Sequence, residues 1–365
     1  MMKIVVACGG TGGHAFPGLA VAEELKRRGH EVVVWDSGRD VESSVMRNWD
    51  GPLFSTGARQ LSLKNAFAIL RSIFRCRREM RRFRPDVLLA MGSYSSLPPV
   101  LAAHAYGVPV VLHEANTVPG RAVELLSRYA KTVAISFAAT EKYLPHAKTV
   151  RTGLPVRQGI TAGRRFDFIP KNAFVVFVTG GSQGAHAVNC LMSEALVLLQ
   201  RELKSHCATR PLYVIHQTGV KDEGPVLATY AQAALPSRVQ AFENEMANAF
   251  ASADIVVARA GASTCFELAA CGKPAFLIPL PSAMRNHQHF NAEAFAAVTA
   301  ADEGVQDKLS AHQICRYLLS KYEKPERLAE MGRKMLALAT PDAAARVADL
   351  VEQKARKQLR TLSPA

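Results

Sequence analysis

Two stretches, KIVVACGGTGGH at residues 3–14 and FVVFVTGGSQGAH at residues 174–186, decide the fold. Each is a run of apolar and β-branched residues that breaks into glycines and then opens a segment with helical spacing. A strand, a tight glycine turn and a helix make the first half of a βαβ unit, so the chain opens such a unit twice, once in each half. Outward from these stretches the alternation continues. Residues 3–8, 31–36, 86–91, 109–113 and 132–135 read as strands, with apolar residues at helical spacing in 17–28 and 65–84. The second half repeats the theme, with strands at 174–179, 212–216, 254–258 and 275–279 and helices at 185–201, 262–271 and 323–337. The pattern predicts an α/β protein of two Rossmann-like, doubly wound domains, 1–157 and 158–340, joined near Gly153–Arg157. The segment 341–365 holds one more helical stretch, 342–358, able to pack on either domain.

Composition agrees with two packed cores. The chain has 365 residues, 48% hydrophobic and 21% charged, which excludes a disordered or collagen-like protein. Lysine and arginine number 45 against 31 acidic residues, a net charge of +14. Most of the excess lies in residues 1–157, with 22 basic and 12 acidic side chains. Such a field attracts nucleic acid, anionic lipid or a polyphosphate. Seven widely spaced cysteines without a C-x-x-C pair or zinc-ligand spacing point to a reducing compartment and inert thiols. The apolar run at the start is too short for a signal peptide, and no stretch of about 18 apolar residues predicts a membrane span.

The glycine turns carry the first chemistry. Glycine lets backbone N–H groups close on a phosphate, and the helix that follows adds the positive end of its dipole. Residues Gly9–Gly13 and Gly180–Gly184 both qualify, and a tight turn without ligand is the plain alternative. Gly10-x-Gly12-x-x-Ala15, with Asp36 at the end of the second strand, also fits a relaxed dinucleotide fingerprint, so a nicotinamide or flavin enzyme is a rival reading. His14 stands at the start of a helix, where the dipole favours a neutral imidazole able to accept a proton. His113-Glu114-Ala115-Asn116 and Gly92-Ser93-Tyr94-Ser95-Ser96 follow apolar strands and should emerge at the carboxyl edge, where open α/β sheets bind ligands. In the second half, Arg259-Ala260-Gly261-Ala262-Ser263-Thr264 leads to Glu267, a carboxylate able to hold two vicinal ribose hydroxyls. The amide-rich loop with His287, Gln288 and Asn291 suits sugar hydroxyls, and no D-x-D pair suggests a metal.

Segment 71–84, RSIFRCRREMRRFR, has seven arginines and one glutamate. With Phe67, Ile69, Leu70, Ile73 and Phe74 it describes an interfacial helix for anionic lipid. An ordinary βαβ helix with a solvated basic face and a nucleic-acid patch are the alternatives. No stacking-aromatic array accompanies the arginines, so nucleic acid is not expected.

Taken in order, GGTGGHAFPGLAVAEEL at 9–25, RPDVLLAMGSYSSLPP at 84–99, PVVLHEANTVPG at 109–120, GLPVR at 153–157, TGGSQGAHAVN at 179–189, IHQTG at 215–219, RAGASTCFELAACGKPAFLIPL at 259–280 and NHQHFNAEA at 286–294 resemble the MurG family of peptidoglycan glycosyltransferases. The resemblance implies a GT-B fold, two Rossmann-like domains facing across a cleft, with the last helix returning to the first domain. It implies an inverting hexosyltransferase needing no cofactor, which moves GlcNAc from UDP-GlcNAc to the MurNAc 4-hydroxyl of the undecaprenyl-pyrophosphoryl acceptor lipid I, forming lipid II. Its partners would be these substrates, an anionic membrane and cell-wall or division proteins, at the cytoplasmic face of the inner membrane.

By position, the resemblance makes His14 the base and places Glu114 in the catalytic set. Thr11, Gly12, Gly13, Tyr94, Ser95 and Asn116 fall on the acceptor side, with Thr11, Gly12, Gly13 and Asn116 shared with the donor. Arg157, Ser182, Gln183, Gly184, Arg259, Ala262, Ser263, Thr264, Glu267, His287, Gln288 and Asn291 complete the donor set. Ile69, Leu70, Ile73, Phe74, Arg77, Arg78 and Arg81 form the membrane face. Ser93 replaces a family glycine, Ala115 a glutamine and Ser263 a frequent leucine, while Glu243 stands near the uracil segment, where an apolar residue can occur. A different UDP-sugar enzyme, such as another lipid glycosyltransferase or an epimerase, is the rival within the fold.

Overall fold

The computed structural model describes residues 1–10, 12–38, 46, 49–59 and 65–362, the side chains of 356–362 excepted. It divides into two units, Met1–Gln158 with Thr340–Ala365, and Gly159–Ala339.

The first unit runs β1 (Lys3–Ala7), α1 (Gly12–Arg27), β2 (Glu31–Asp36), β3 (Leu53–Ser55), α2 (Ala66–Phe83), β4 (Val87–Ala90), α3 (Leu97–Ala105), β5 (Val110–Glu114), α4 (Arg121–Leu126), β6 (Thr132–Ile135) and β7 (Thr149–Arg151). Its seven strands are parallel, in the order β3-β2-β1-β4-β5-β6-β7. The reversal of direction at β1 and β4 creates the crevice at strand carboxyl ends that this topology offers to ligands. The second unit runs β8 (Phe174–Thr179), α5 (His186–Ser205), β9 (Leu212–Gln217), α6 (Glu223–Gln232), β10 (Ser237–Gln240), α7 (Met246–Ser252), β11 (Ile255–Ala258), α8 (Ala262–Ala270), β12 (Ala275–Leu277), α9 (His287–Ala296), β13 (Ala301–Glu303), α10 (Ala311–Glu323) and α11 (Pro325–Ala337). Its six strands are again parallel, in the order β10-β9-β8-β11-β12-β13, with the switch at β8 and β11. The chain closes with α12 (Ala343–Leu362), which belongs to the first unit.

Alternation along β1 divides the first core. Ile4, Val6 and Cys8 face α1 and α12, where they meet Val21, Leu25, Val347 and Val351. Val5 and Ala7 face the other way, toward Trp35, Cys76 and Met80 under α2. Each fully buried valine or leucine contributes about 1.5–3 kcal/mol, so strands buried on both faces are the main anchors of the unit. In the second unit Phe174, Val176 and Val178 pack against Val188, Met192 and Leu196 of α5 and Ile314 and Leu318 of α10.

Two differences from the sequence reading have simple causes. Helix α1 begins at Gly12 rather than at residue 17, directly from the glycine turn, so Pro17 lies inside it. The short strands β3, β7, β10 and β13 sit at or next to sheet edges, and their three or four residues are too few to show alternation. No described helix is long and apolar enough to cross a membrane.

Candidate functional site

In the first unit the glycine turn is enclosed by its neighbours. A methyl group at Gly9 would lie 2.6 Å from the Ser37 nitrogen, and one at Gly10, where φ is +126°, 2.5 Å from Ser93 Oγ. The Ser95 hydroxyl donates to the Gly9 carbonyl and is buried. Gly18 lets α1 approach β1 closely, since a methyl there would meet Cys8 Cβ at 2.2 Å. Gly12, Gly13 and His14 form the first turn of α1, with Thr11 outside the described residues. The His14 ring passes over the β4 and β5 ends: its Cδ2 is 3.8 Å from where a Gly92 methyl would sit, and that position is 3.1 Å from the His113 carbonyl.

Behind this surface lies a buried titratable pair. His113 Nε2 is 3.3 Å from the Gly153 carbonyl, and burial pulls the imidazole down to about 4, against that hydrogen bond and with a smaller push from His14. Glu114 is 3% exposed. Its Oε1 accepts from the Asn116 backbone (2.8 Å) and side-chain amide (3.1 Å), and its Oε2 from Gly120 N–H (3.1 Å). Burial raises this carboxyl to about 7 despite those donors. Glu114 therefore shapes the 115–120 loop. Asn116 is half-buried and its carbonyl accepts from Thr140 Oγ1. Tyr94 is half-buried beside Ser95, and the Arg157 guanidinium stacks 4.2 Å over Phe16. Asp36, the expected ribose acid of the dinucleotide reading, is buried, with its carbonyl taking Thr56 N–H and Oγ1–H.

The second turn is built differently. A methyl at Gly184, where φ is +71°, would strike the Thr218 carbonyl oxygen at 1.9 Å, so this end is wedged against the loop after β9. Gly181, at φ +87°, has open space where its methyl would be, and Ser182 and Gln183 are exposed just before α5. Gly181 N–H donates to Thr179 Oγ1, and Gln217 Nε2 donates to the Gly181 carbonyl at 2.7 Å. The geometry is a rigid, outward-facing turn ahead of a long helix, a form suited to a phosphate.

Around it, Ala262, Ser263 and Thr264 make the first turn of α8, with Glu267 buried in the next. Several donor candidates turn out to hold loops. Arg259 donates to the Ile278 and Pro279 carbonyls and to Gln306 Oε1 (2.6 Å), and burial lowers its affinity for the proton. Asn291 is fully buried and donates to the Ala260 carbonyl, Gln288 Oε1 accepts from Leu280 N–H, and His287 Nδ1 lies 2.9 Å from the Met284 carbonyl. Gln217 was missed as a side chain, and so was the pairing of buried Glu243 with Arg238 at 2.9 Å. For Gln217 the available signal was a polar residue at the carboxyl end of a largely apolar strand.

Helix α2 divides the residues of the expected membrane face between two sides. At 100° per residue Phe67, Leu70, Phe74, Arg78 and Arg81 share one side, and Ser72, Cys76 and Met80 the opposite one. Phe67, Leu70 and Phe74 are 80%, 55% and 66% exposed, and Ser72, Cys76 and Met80 are buried. Ile69 and Ile73 are half-buried on the flank of the inner stripe, so Phe67 belongs to the outward face and these two do not. Arg77 is exposed but leans over Tyr106.

Residues 4–135 match the glycosyltransferase family 28 N-terminal domain, and residues 175–351 the glycosyltransferase family 28 C-terminal domain. A protein of Geobacter metallireducens named UDP-N-acetylglucosamine–N-acetylmuramyl-(pentapeptide) pyrophosphoryl-undecaprenol N-acetylglucosamine transferase is 34% identical, over 98% of this chain and 100% of its own length. A Myxococcus xanthus protein of the same name is 36% identical, over 96% of this chain and 92% of its own. The crystal structure of Acinetobacter baumannii MurG superposes with a TM-score of 0.75 at 30% identity, covering 96% of this chain and 99% of that one.

Proposed function

The chain belongs to glycosyltransferase family 28, and from that premise we propose that it transfers N-acetylglucosamine from UDP-GlcNAc to the N-acetylmuramyl sugar of lipid I, making lipid II for peptidoglycan. The observation that carries this reading is the span of the likeness: relatives with that name match through both units, not through a shared nucleotide-binding half alone. A nicotinamide enzyme would need an accessible acid at the end of β2, and Asp36 is enclosed.

In the mechanism we favour, His14 takes the proton of the acceptor 4-hydroxyl while that oxygen attacks the anomeric carbon of GlcNAc. The bond from that carbon to the β-phosphate oxygen breaks, and its electron pair leaves with UDP. Inversion at the carbon gives a β-1,4 link. The Gly180–Gly184 turn, with Ser182 and the α5 N-terminus, takes up the growing charge on the diphosphate, a preset electrostatic environment that needs no rearrangement during the reaction. Glu267 holds the ribose. Glu114 keeps Asn116 and the 115–120 loop in place for the acceptor, while Arg259, Gln288 and Asn291 keep the donor loops in shape. Seated on α2, the exposed Phe67, Leu70 and Phe74 enter an anionic lipid surface at the cytoplasmic face, with Arg78 and Arg81 on its headgroups.

The test is transfer of labelled GlcNAc to a lipid I analogue, with UDP binding followed by calorimetry. His14→Ala should lower kcat about 10²–10⁴-fold, the usual contribution of a positioned base, while UDP affinity is unchanged. Full activity in a folded His14→Ala protein would overturn the assignment of the base. Absence of transfer by the wild-type protein, with UDP bound, would overturn the acceptor.

A further inference from the structure

Three neighbouring strand ends of the second unit lean on one another. The Gly180–Gly184 turn, after β8, rests on residues 217–219 at the end of β9. Gln217 Nε2 holds the Gly181 carbonyl, the Thr218 carbonyl is packed against Gly184, and a methyl at Gly219 would meet the Gln183 carbonyl oxygen at 2.5 Å. Residues 217–219 rest in turn on the end of β10, where Gln217 stands opposite Gln240. Thr218 N–H donates to the Gln240 carbonyl and Gly219 N–H to the Ala241 carbonyl, both at 3.0 Å. Whatever fixes residues 240–245 therefore helps to fix the turn two strands away.

A buried ion pair fixes them. Glu243 is 1% exposed. Its Oε2 accepts from Arg238 Nε at 2.9 Å, and its Oε1 from Arg238 Nη2 at 3.2 Å and from Glu245 N–H at 2.8 Å. The last bond folds the chain back just before α7. Glu243 N–H points at Gln217 Oε1, 3.4 Å away, so the amide that holds Gly181 is met at its other end by this loop. Arg238 is itself confined: its guanidinium lies 4.8 Å over the Phe166 ring, and Nη2 also donates to Gln240 Oε1 at 3.1 Å. The start of the loop is tied by Ala241 N–H, which donates to Glu223 Oε1 at 2.9 Å.

Such a pair is a poor source of stability. Taking both charges out of water offsets most of their attraction, and apolar side chains of similar volume often serve as well. What the pair adds is one fixed geometry, because the planar guanidinium meets the carboxylate through two parallel bonds. We propose that Arg238 and Glu243 are positioning residues for donor binding: they set the 241–245 loop, which holds Gln217 and Thr218 where they shape the Gly180–Gly184 turn. Their effect passes through those two residues, so it belongs to donor affinity and not to bond making. This inference rests on the reading that the turn takes the donor diphosphate.

Two variants of the full chain test it. Glu243→Gln keeps the side chain's size and removes its charge, and Arg238→Lys keeps the charge and loses the fork. In Glu243→Gln the KM for UDP-GlcNAc and the Kd for UDP should rise about 3–10-fold, the scale for groups coupled in one hydrogen-bond network, with kcat and the acceptor KM unchanged. Arg238→Lys should show the same split, smaller. A lower kcat at unchanged KM, or a lower melting temperature with both constants intact, would overturn the proposal. Placed in a Gln217→Leu background, Glu243→Gln should weaken UDP binding less than it does in the wild type, because the two act along one route; equal effects would overturn that route. Hydrogen exchange reads the link with no nucleotide present. The peptide holding Gly184 N–H, which donates to the Gly181 carbonyl, should exchange faster in both variants, and an unchanged rate would overturn the link. If Glu243→Gln fails to fold, Arg238→Lys, at a half-buried position on an edge strand, carries the same measurements. Failure of the wild-type protein to bind UDP would overturn the donor reading, while the exchange rates still decide whether the pair shapes the turn.

Discussion

The Gly9–Gly13 and Gly180–Gly184 turns look like duplicates in sequence and are opposites in space. In the first, Gly9 and Gly10 are glycine because Ser37 and Ser93 leave no room for a side chain. The second has Gly184 wedged in the same manner, yet Gly181 faces open space and Ser182 and Gln183 are exposed. A glycine cluster after a strand thus reports either close protein packing or access for a ligand, and the spacing alone does not say which. In the dinucleotide fingerprint of the first unit, Gly10 is of the packed kind. In the proposed mechanism this unit's first-turn histidine, not its glycines, supplies the chemistry.

The largest break in this comparison should come from Gly184→Ala. The new methyl meets the Thr218 carbonyl oxygen at 1.9 Å, backbone that cannot move aside cheaply, and a left-handed φ of +71° adds strain. Together these should cost at least about 3 kcal/mol and remove UDP binding, as measured by denaturant unfolding and calorimetry. At Gly181→Ala only the φ of +87° is unfavourable, and the loss should be about 1–2 kcal/mol with UDP binding weakened but present. Equal losses at the two positions would mean that the open side of the turn is not open in solution.

Acidification should separate the units next. His216 in the second unit is neutral when folded, at about 3, but titrates near 6.5 when unfolded. Between those values the unfolded state binds the extra proton, so stability present above pH 6.5 is lost as the pH falls, by about 1.4 kcal/mol per unit. Glu303 has a raised pKa and offsets part of this. His113 in the first unit has the same sign, with a folded value of about 4. Its neighbour Glu114, at about 7, has the opposite sign: its stability is full below pH 4.5 and is lost as pH rises toward 7. From pH 6.5 to 4.5 the first unit's pair therefore cancels, and the second unit should weaken by about 2 kcal/mol relative to it. Hydrogen exchange resolved by peptide reads each unit separately, and parallel behaviour would refute the assignment.

What the sequence disclosed follows the same division. Strands such as Val5–Ala7 and Val175–Val178 were legible because burial on both faces demands an unbroken apolar run. So was the start of each crevice, since a glycine turn after such a run leaves few alternatives. Illegible were side chains whose role depends on a partner far along the chain. Gln217 reaches Gly181 across 36 positions, and Asn291 reaches Ala260 across 31. Helix α2 misled for a different reason: it carries two apolar stripes, one for its own core and one outward, and composition merges Ile69 and Ile73 with Phe67 and Phe74. Gln217→Leu tests the first kind. It removes the bond to the Gly181 carbonyl and should weaken UDP binding about 10-fold, roughly 1–2 kcal/mol, leaving the first unit's exchange rates unchanged.

The smallest effect should appear at Ser93, whose side chain closes over the first turn. Ser93 adopts φ 67°, a left-handed conformation that a side chain resists, and its Oγ is the atom that closes on Gly10. Ser93→Gly removes the strain and uncovers the first turn, while the buried Ser95 hydroxyl still holds the Gly9 carbonyl. Two contributions compete: relief of strain stabilises the fold, and the greater freedom of glycine in the unfolded chain opposes it. Because the native φ is one that glycine occupies without penalty, relief should prevail by about 0.5–1 kcal/mol, seen as a rise of a few degrees in the melting temperature. UDP affinity should stay the same, since the donor turn lies in the other unit. A Ser93→Gly protein that gained affinity for a dinucleotide would show that packing by this serine, rather than the enclosure of Asp36, is what separates the first turn from a cofactor site.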